Sequence, residues 1–178
     1  MPRSAVLIFI AVAVGGGIVA AVAYYIARFM RGTIKLSLGR TAFNPGDTIR
    51  GSFDLHTKKA IQGNKLIVSL IGVQVTRIHE DGKTRTRSQE IYRDEVLVEQ
   101  AKAYPAGYKA TYNFEVPAPN MQSPEFLNSK LGQALTAALR LLSDRSTRLK
   151  WKIEARLDAK GVDLATAKSV SINTKQPI

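Results

Sequence analysis

Two histidines, His56 and His79, and no cysteine are the chain's whole supply of imidazole and thiol. Each histidine falls near the end of a predicted strand, where a solvated ring is the ordinary outcome, and neither has partners at metal-ligand spacing. Neighbouring carboxylates occur at Asp94-Glu95 and Glu80-Asp81. Adjacent strand residues point to opposite faces, so the first pair cannot share a proton, and the second reads as solvating a hairpin tip. Gly15-Gly16-Gly17 lacks the lysine of a phosphate-cradling loop and lies inside an apolar run. No catalytic residue, metal ligand or cofactor site is therefore expected. The side chains able to act on a partner are cations. Arg77, Lys83, Arg85, Arg87 and Arg93 surround Asp81-Gly82, and Lys83, Arg85 and Arg87 alternate along one strand face. Such a basic comb suits phosphates or an acidic peptide through charge-assisted hydrogen bonds. The same spacing also describes a solvated edge strand whose charges block edge-to-edge pairing, which is the more ordinary reading.

The elements that would position this comb are strands. Ile34, Leu36 and Leu38 alternate with Lys35 and Ser37, and Ile49, Phe53 and Leu55 resume the alternation after Asn44-Pro45-Gly46-Asp47, a type II turn by composition. These two segments are expected to form a hairpin-like pair. Residues 65–78 make the longest strand candidate: Leu66, Val68 and Leu70 hold one phase and Ile71, Val73 and Val75 the other, so a bulge is expected near Gly72. Asp81-Gly82 is a favoured two-residue hairpin turn. Residues 83–89 then form a polar arm, and residues 91–98 return to strand composition. Tyr104-Pro105-Ala106-Gly107 marks another turn before Tyr112, Phe114 and Val116. Trp151, Ile153, Ala155 and Leu157 alternate with charged residues, and Val170 and Ile172 suggest a final short strand. Six to eight strands predict an all-β, antiparallel, immunoglobulin-like sandwich. One insertion breaks the pattern: Ser123 as N-cap, Pro124 in the first turn and leucines at helical spacing predict an amphipathic helix over residues 124–142. It would cover the sandwich or lie in a membrane interface near Lys130, Arg140 and Arg145.

Ahead of the sandwich, residues 4–27 carry no charge over 24 positions, a helical length of roughly 36 Å against a hydrocarbon core of roughly 30 Å. One transmembrane anchor over residues 1–31 is expected, followed by one domain over residues 32–178. A cleaved secretory signal competes, but the apolar character runs on through Tyr24, Tyr25, Ile26, Phe29 and Met30. Ala13, Gly17 and Ala21 recur every four residues and form a candidate helix-packing face, a route to oligomers through the membrane helix. Arg28, Arg31, Lys35 and Arg40 follow the run as candidate membrane-surface contacts and place the body in the cytoplasm. The whole chain carries +12, and setting aside Arg3, Arg28 and Arg31 leaves the body at +9. That surplus suits anionic lipid or an acidic protein. Nucleic acid is not expected, because neither interleaved exposed aromatics nor a recognition helix accompanies the charge.

The order of signals resembles the arrestin-like family. Gly32, Ile34 and Leu36, then Phe43-x-Pro45-Gly46-Asp47 with Gly51, are similar to its opening strand, turn and second strand. Tyr112-x-Phe114-x-Val116-Pro117-x-Pro119 and the stretch from Trp151 to Asp158 resemble later strands, the second following a variable insertion. The resemblance spans about residues 32–173. It implies one arrestin-type lobe of the kind shared with the retromer cargo subunit and bacterial sporulation-control proteins, where family members usually carry two. The expected function is a non-catalytic, membrane-anchored adaptor or scaffold binding the bilayer and a protein partner. An accessory structural subunit of an integral membrane complex is the alternative.

Overall fold

The computed structural model of the protein describes residues 29–80, 83–120, 123–140 and 147–173. Among them nine strands form two sheets. The smaller sheet runs β1 (Gly32–Leu38), β3 (Thr48–Thr57), β7 (Lys109–Pro117), all antiparallel. The larger runs β2 (Ala42–Phe43), β9 (Leu164–Ile172), β8 (Thr147–Ala159), β4 (Ile61–Glu80), β5 (Lys83–Glu99), with β6 (Lys102–Tyr104) also on β4. Only the two-residue β2 pairs in parallel, with β9. The membrane helix predicted for residues 4–27, with its Ala13, Gly17 and Ala21 face, lies outside the described residues. Among the described residues no helix is long and apolar enough to cross a membrane.

Period-two alternation builds the core. Ile34, Leu36, Ile49, Phe53, Leu55 and Val116 of the smaller sheet meet Leu66, Val68, Leu70, Ile153 and Leu157 of the larger, all buried. Each such side chain contributes on the order of 1.5–3 kcal/mol of burial. β1 and β3 pair as expected, Gly32 opposite Thr57 through Leu38 opposite Gly51. They do not form a simple hairpin, because the connection crosses to the other sheet, where Ala42 and Phe43 add to β9. The Asn44–Asp47 turn then returns the chain: Asp47 N donates to Asn44 O at 3.1 Å and Gly46 holds φ at 83°. The predicted short final strand is nine residues long.

The expected irregularity at Gly72 is present, but the extra residue belongs to β5. Gly72 faces Tyr92 while Val73 faces Glu90, which leaves Ile91 unpaired. β4 keeps its phase, so Ile67, Ser69 and Ile71 point away from the core and are nonetheless buried. They lie beneath an ion-pair network in which Arg93 chelates Glu90 at 2.7 and 2.8 Å, Lys65 meets Glu95 and Lys152 meets Glu154. The face opposite the core is thus buried at Ile67, Ser69 and Ile71 and half-buried at Val73 and Val75, so β4 is apolar on both sides. Gly72 is needed for closeness: an added Cβ would stand 2.9 Å from the Trp151 ring. Among the described residues Ser69 Oγ is the buried side-chain polar atom without a hydrogen-bond partner. Ser69→Ala is therefore expected to leave stability unchanged or raise it by up to about 1 kcal/mol, read from the urea midpoint, since no bond is lost with the hydroxyl.

The predicted single helix is two: α1 (Pro124–Asn128) and α2 (Lys130–Arg140). Ser129 breaks it. Its extended backbone ends α1, its N donates to Phe126 O at 3.0 Å, and its Oγ accepts from Gly132 N at 2.9 Å, so one serine closes one helix and caps the next. Ser123 starts α1 by position only, making no side-chain cap. α2 packs on β5, with Leu135 fully buried, and Phe126 leans on Tyr92 at 6.3 Å. The pair covers one end of the sandwich, the first of the two roles expected for it.

Candidate protein-binding site

β5 is the outer strand of the larger sheet, and its first eight residues, 83–90, are exposed. They pair with the end of β4, Gln89 opposite Gln74 through Lys83 opposite Glu80, in an arm that extends past Gly72 for about 25 Å. Alternation places Lys83, Arg85 and Arg87 on one face of this arm, with Gln74, Thr76 and Ile78, on the side that continues the core. Arg77 and His79 occupy the other face, where His79 Nε2 meets Thr84 Oγ1 at 2.9 Å. Arg93 belongs to the ion-pair network and not to the comb. Among the described residues, Lys83, Arg85 and Arg87 make no ion pair. These three exposed cations therefore share one face of the arm, and among the described residues no strand pairs with the outer edge of β5.

The candidate membrane-surface cations are dispersed. Arg28 lies outside the described residues. Arg31 stands at the end of the sandwich where β1 begins, and its guanidinium donates to Lys160 O at 3.0 Å and Val162 O at 2.9 Å. Lys35 is exposed on the outer face of the smaller sheet, in a shallow groove of about 550 Å³ with Thr33, Asp54, His56, Lys109 and Thr111. Arg40 is at the opposite end, paired with Asp47 at 3.0 Å and stacked over Phe43 at 4.7 Å. The seven residues of β1 separate Arg31 from Arg40 by roughly 20 Å.

Sequence reasoning missed a polar cluster that joins the sheets. A second irregularity in β5 skips Val98, with Leu66 opposite Glu99 and Ile67 opposite Leu97, and this turns Glu99 toward the smaller sheet. Its carboxylate accepts from Lys102 Nζ at 2.6 Å, Tyr104 OH at 2.8 Å and Tyr112 OH at 2.7 Å, while Tyr108 OH meets Tyr112 OH at 3.0 Å. Tyr112 also stacks on Phe53 at 5.3 Å. Burial opposes ionisation of Glu99, but the bonds from Lys102, Tyr112 and Tyr104 outweigh it and hold the carboxyl below its ordinary value. Burial first, then bonding to the cluster, keeps the Tyr104 and Tyr112 hydroxyls protonated well above the usual tyrosine range. Each group is consumed by another, so the cluster clamps the two sheets together. The residue types were visible, but no spacing rule brings positions 99, 104 and 112 to one point.

Comparison with solved structures supports an arrestin-like fold for these two sheets. The chain is similar to Spo0M, the sporulation control protein from Bacillus subtilis, with a TM-score of 0.53 and 13% identity over 82% of this chain. The match spans 50% of the Spo0M chain. No family model and no curated protein matches the sequence.

Proposed function

We propose that this protein is a non-catalytic adaptor or scaffold, held at the cytoplasmic face of a membrane by residues 4–27, that binds an acidic, extended segment of a partner protein along the free edge of β5. The observation that carries this reading is the exposed arm: an open edge offers main-chain hydrogen bonds to an added strand, and Lys83, Arg85 and Arg87 repeat at the two-residue period of such a strand's side chains. The arrestin-like fold supports an adaptor role. The ion pairs over β4 balance charge there, so much of the body's positive surplus is carried elsewhere, the arm included.

The test uses full-length protein in lipid nanodiscs and a fluorescent peptide of alternating Glu and Val, read by anisotropy. Reversal of Lys83, Arg85 and Arg87 to Glu is expected to weaken binding by about tenfold or more, since three exposed charge contacts contribute up to about 1 kcal/mol each. Wild-type affinity should fall as salt rises. Equal binding by the reversed variant, or equal binding of an alternating Gln and Val peptide, would refute the proposal.

A further inference from the structure

Where β1 begins, three segments are fastened into one plate. The Arg31 carbonyl accepts from Lys58 N at 2.8 Å and Lys59 N at 3.3 Å, which ties the residues before β1 to the β3–β4 connection. The Arg31 guanidinium, bonded to Lys160 O and Val162 O, ties them to the β8–β9 turn. The plate displays Phe29 at 62% and Met30 at 48% exposure, the former beneath Lys58 Nζ at 3.3 Å. Lys58, Lys59 and Lys160 are exposed beside them. The neighbouring acid, Asp163, is neutralised by Arg156 and accepts from Ala159 N.

We infer that this plate docks flat on the anionic head-group layer of a bilayer, with Phe29 and Met30 entering the interface and Lys58, Lys59 and Lys160 meeting lipid phosphates and carboxylates. Two large apolar side chains ringed by lysines match a surface that is apolar below and negative at its rim. The occupant follows from the chain itself: the uncharged run ends at residue 27, two positions before Phe29, so a bilayer that holds the run meets this end of the sandwich first. Arg31 acts as the tie that makes the plate rigid, and lysines from distant loops supply the lipid contacts. Docking there sets the sandwich upright and sends the β4–β5 arm away from the membrane.

The inference rests on the membrane-held reading, and one experiment separates the two. The chain has no cysteine, so Ala60→Cys beside the plate and Ser88→Cys on the arm each take a single nitroxide label. Full-length protein is reconstituted into phosphatidylcholine vesicles with or without phosphatidylserine. The label at 60 is expected to lose accessibility to a water-soluble nickel relaxant several-fold when phosphatidylserine is present, with the label at 88 unchanged. Lys58→Glu, Lys59→Glu and Lys160→Glu together should restore accessibility at 60 while the protein still floats with the vesicles. Flotation with equal accessibility at 60 and 88, or with no dependence on phosphatidylserine, overturns the docking plate alone. Failure to float overturns the membrane-held reading and the plate with it.

Discussion

Replacing Trp151 by alanine is expected to lower the free energy of unfolding by about 3–5 kcal/mol, measured by urea denaturation followed through far-ultraviolet circular dichroism. Trp151 is 4% exposed and stands where the sandwich gives way to the arm. It lies opposite Gly72 on β4 and Val170 on β9, and meets Tyr92 edge-on with ring centroids 5.3 Å apart. Its removal opens a cavity beside a residue that has no side chain to fill it, and Tyr92 loses the ring that holds it against Phe126. The loss should therefore reach the helices. Proteolysis near α1 is expected to quicken in Trp151→Ala, whereas Ile153→Ala, fully buried deeper in the core, should lower stability without that local signature. Equal protease sensitivity in the two variants at matched stability would refute the coupling.

Glu99→Leu is expected to cost about 2–3 kcal/mol, because the part-buried hydroxyls of Tyr104 and Tyr112 are left without their acceptor. The cluster also predicts the shape of the stability curve against pH. The Glu99 carboxyl is held below its ordinary value, so its contribution is present above the unfolded pKa of about 4.3 and is lost as pH falls through the lower folded value. Tyr104 and Tyr112 are held above theirs, so their contribution is complete below about pH 10 and is lost as pH rises through the folded values. Lys102, raised chiefly by its bond to Glu99, has the same sign on the alkaline side. In Glu99→Gln the Glu99 share of the acid limb should vanish, seen as a smaller difference from wild type below pH 4 than at pH 7 in thermal melts. A constant difference across that range would show that Glu99 stands outside the clamp.

The alternating strands were legible because each buries one face, and a period of two is then imposed residue by residue. β8 shows this most cleanly, with Trp151, Ile153, Ala155, Leu157 and Ala159 buried in turn. β4 obscured its own arrangement. Its two phases suggest a bulge in that strand, yet the core-facing phase is buried by the opposite sheet and the other, beside the ion pairs of Lys65, Arg93 and Lys152, is buried at Ile67 and Ile71 and half-buried at Val73 and Val75. The leucines of residues 124–142 fitted a single helix because spacing alone does not register Ser129, which can cap in two directions at once. β2 and β6 have two and three residues, too few to carry a period. The basic comb was legible because its three members sit on one strand at alternate positions. The dispersal of Arg31, Lys35 and Arg40 was not, since nearness in sequence along an extended strand means separation in space.

The sequence alone determined the two-sheet class, the Pro45-Gly46 turn, the neighbourhood of the irregularity at Gly72 and the face that Lys83, Arg85 and Arg87 share. All of these follow from local rules: side-chain alternation, the positive φ that glycine accepts, and the fixed period of a strand. Tertiary structure alone decided that β2 crosses to the larger sheet, that Val98 is skipped so Glu99 reaches Tyr112, and that Arg31 binds a turn more than a hundred residues away. Those outcomes depend on which edges meet when two twisted sheets close on a common core, a condition no short window of residues contains.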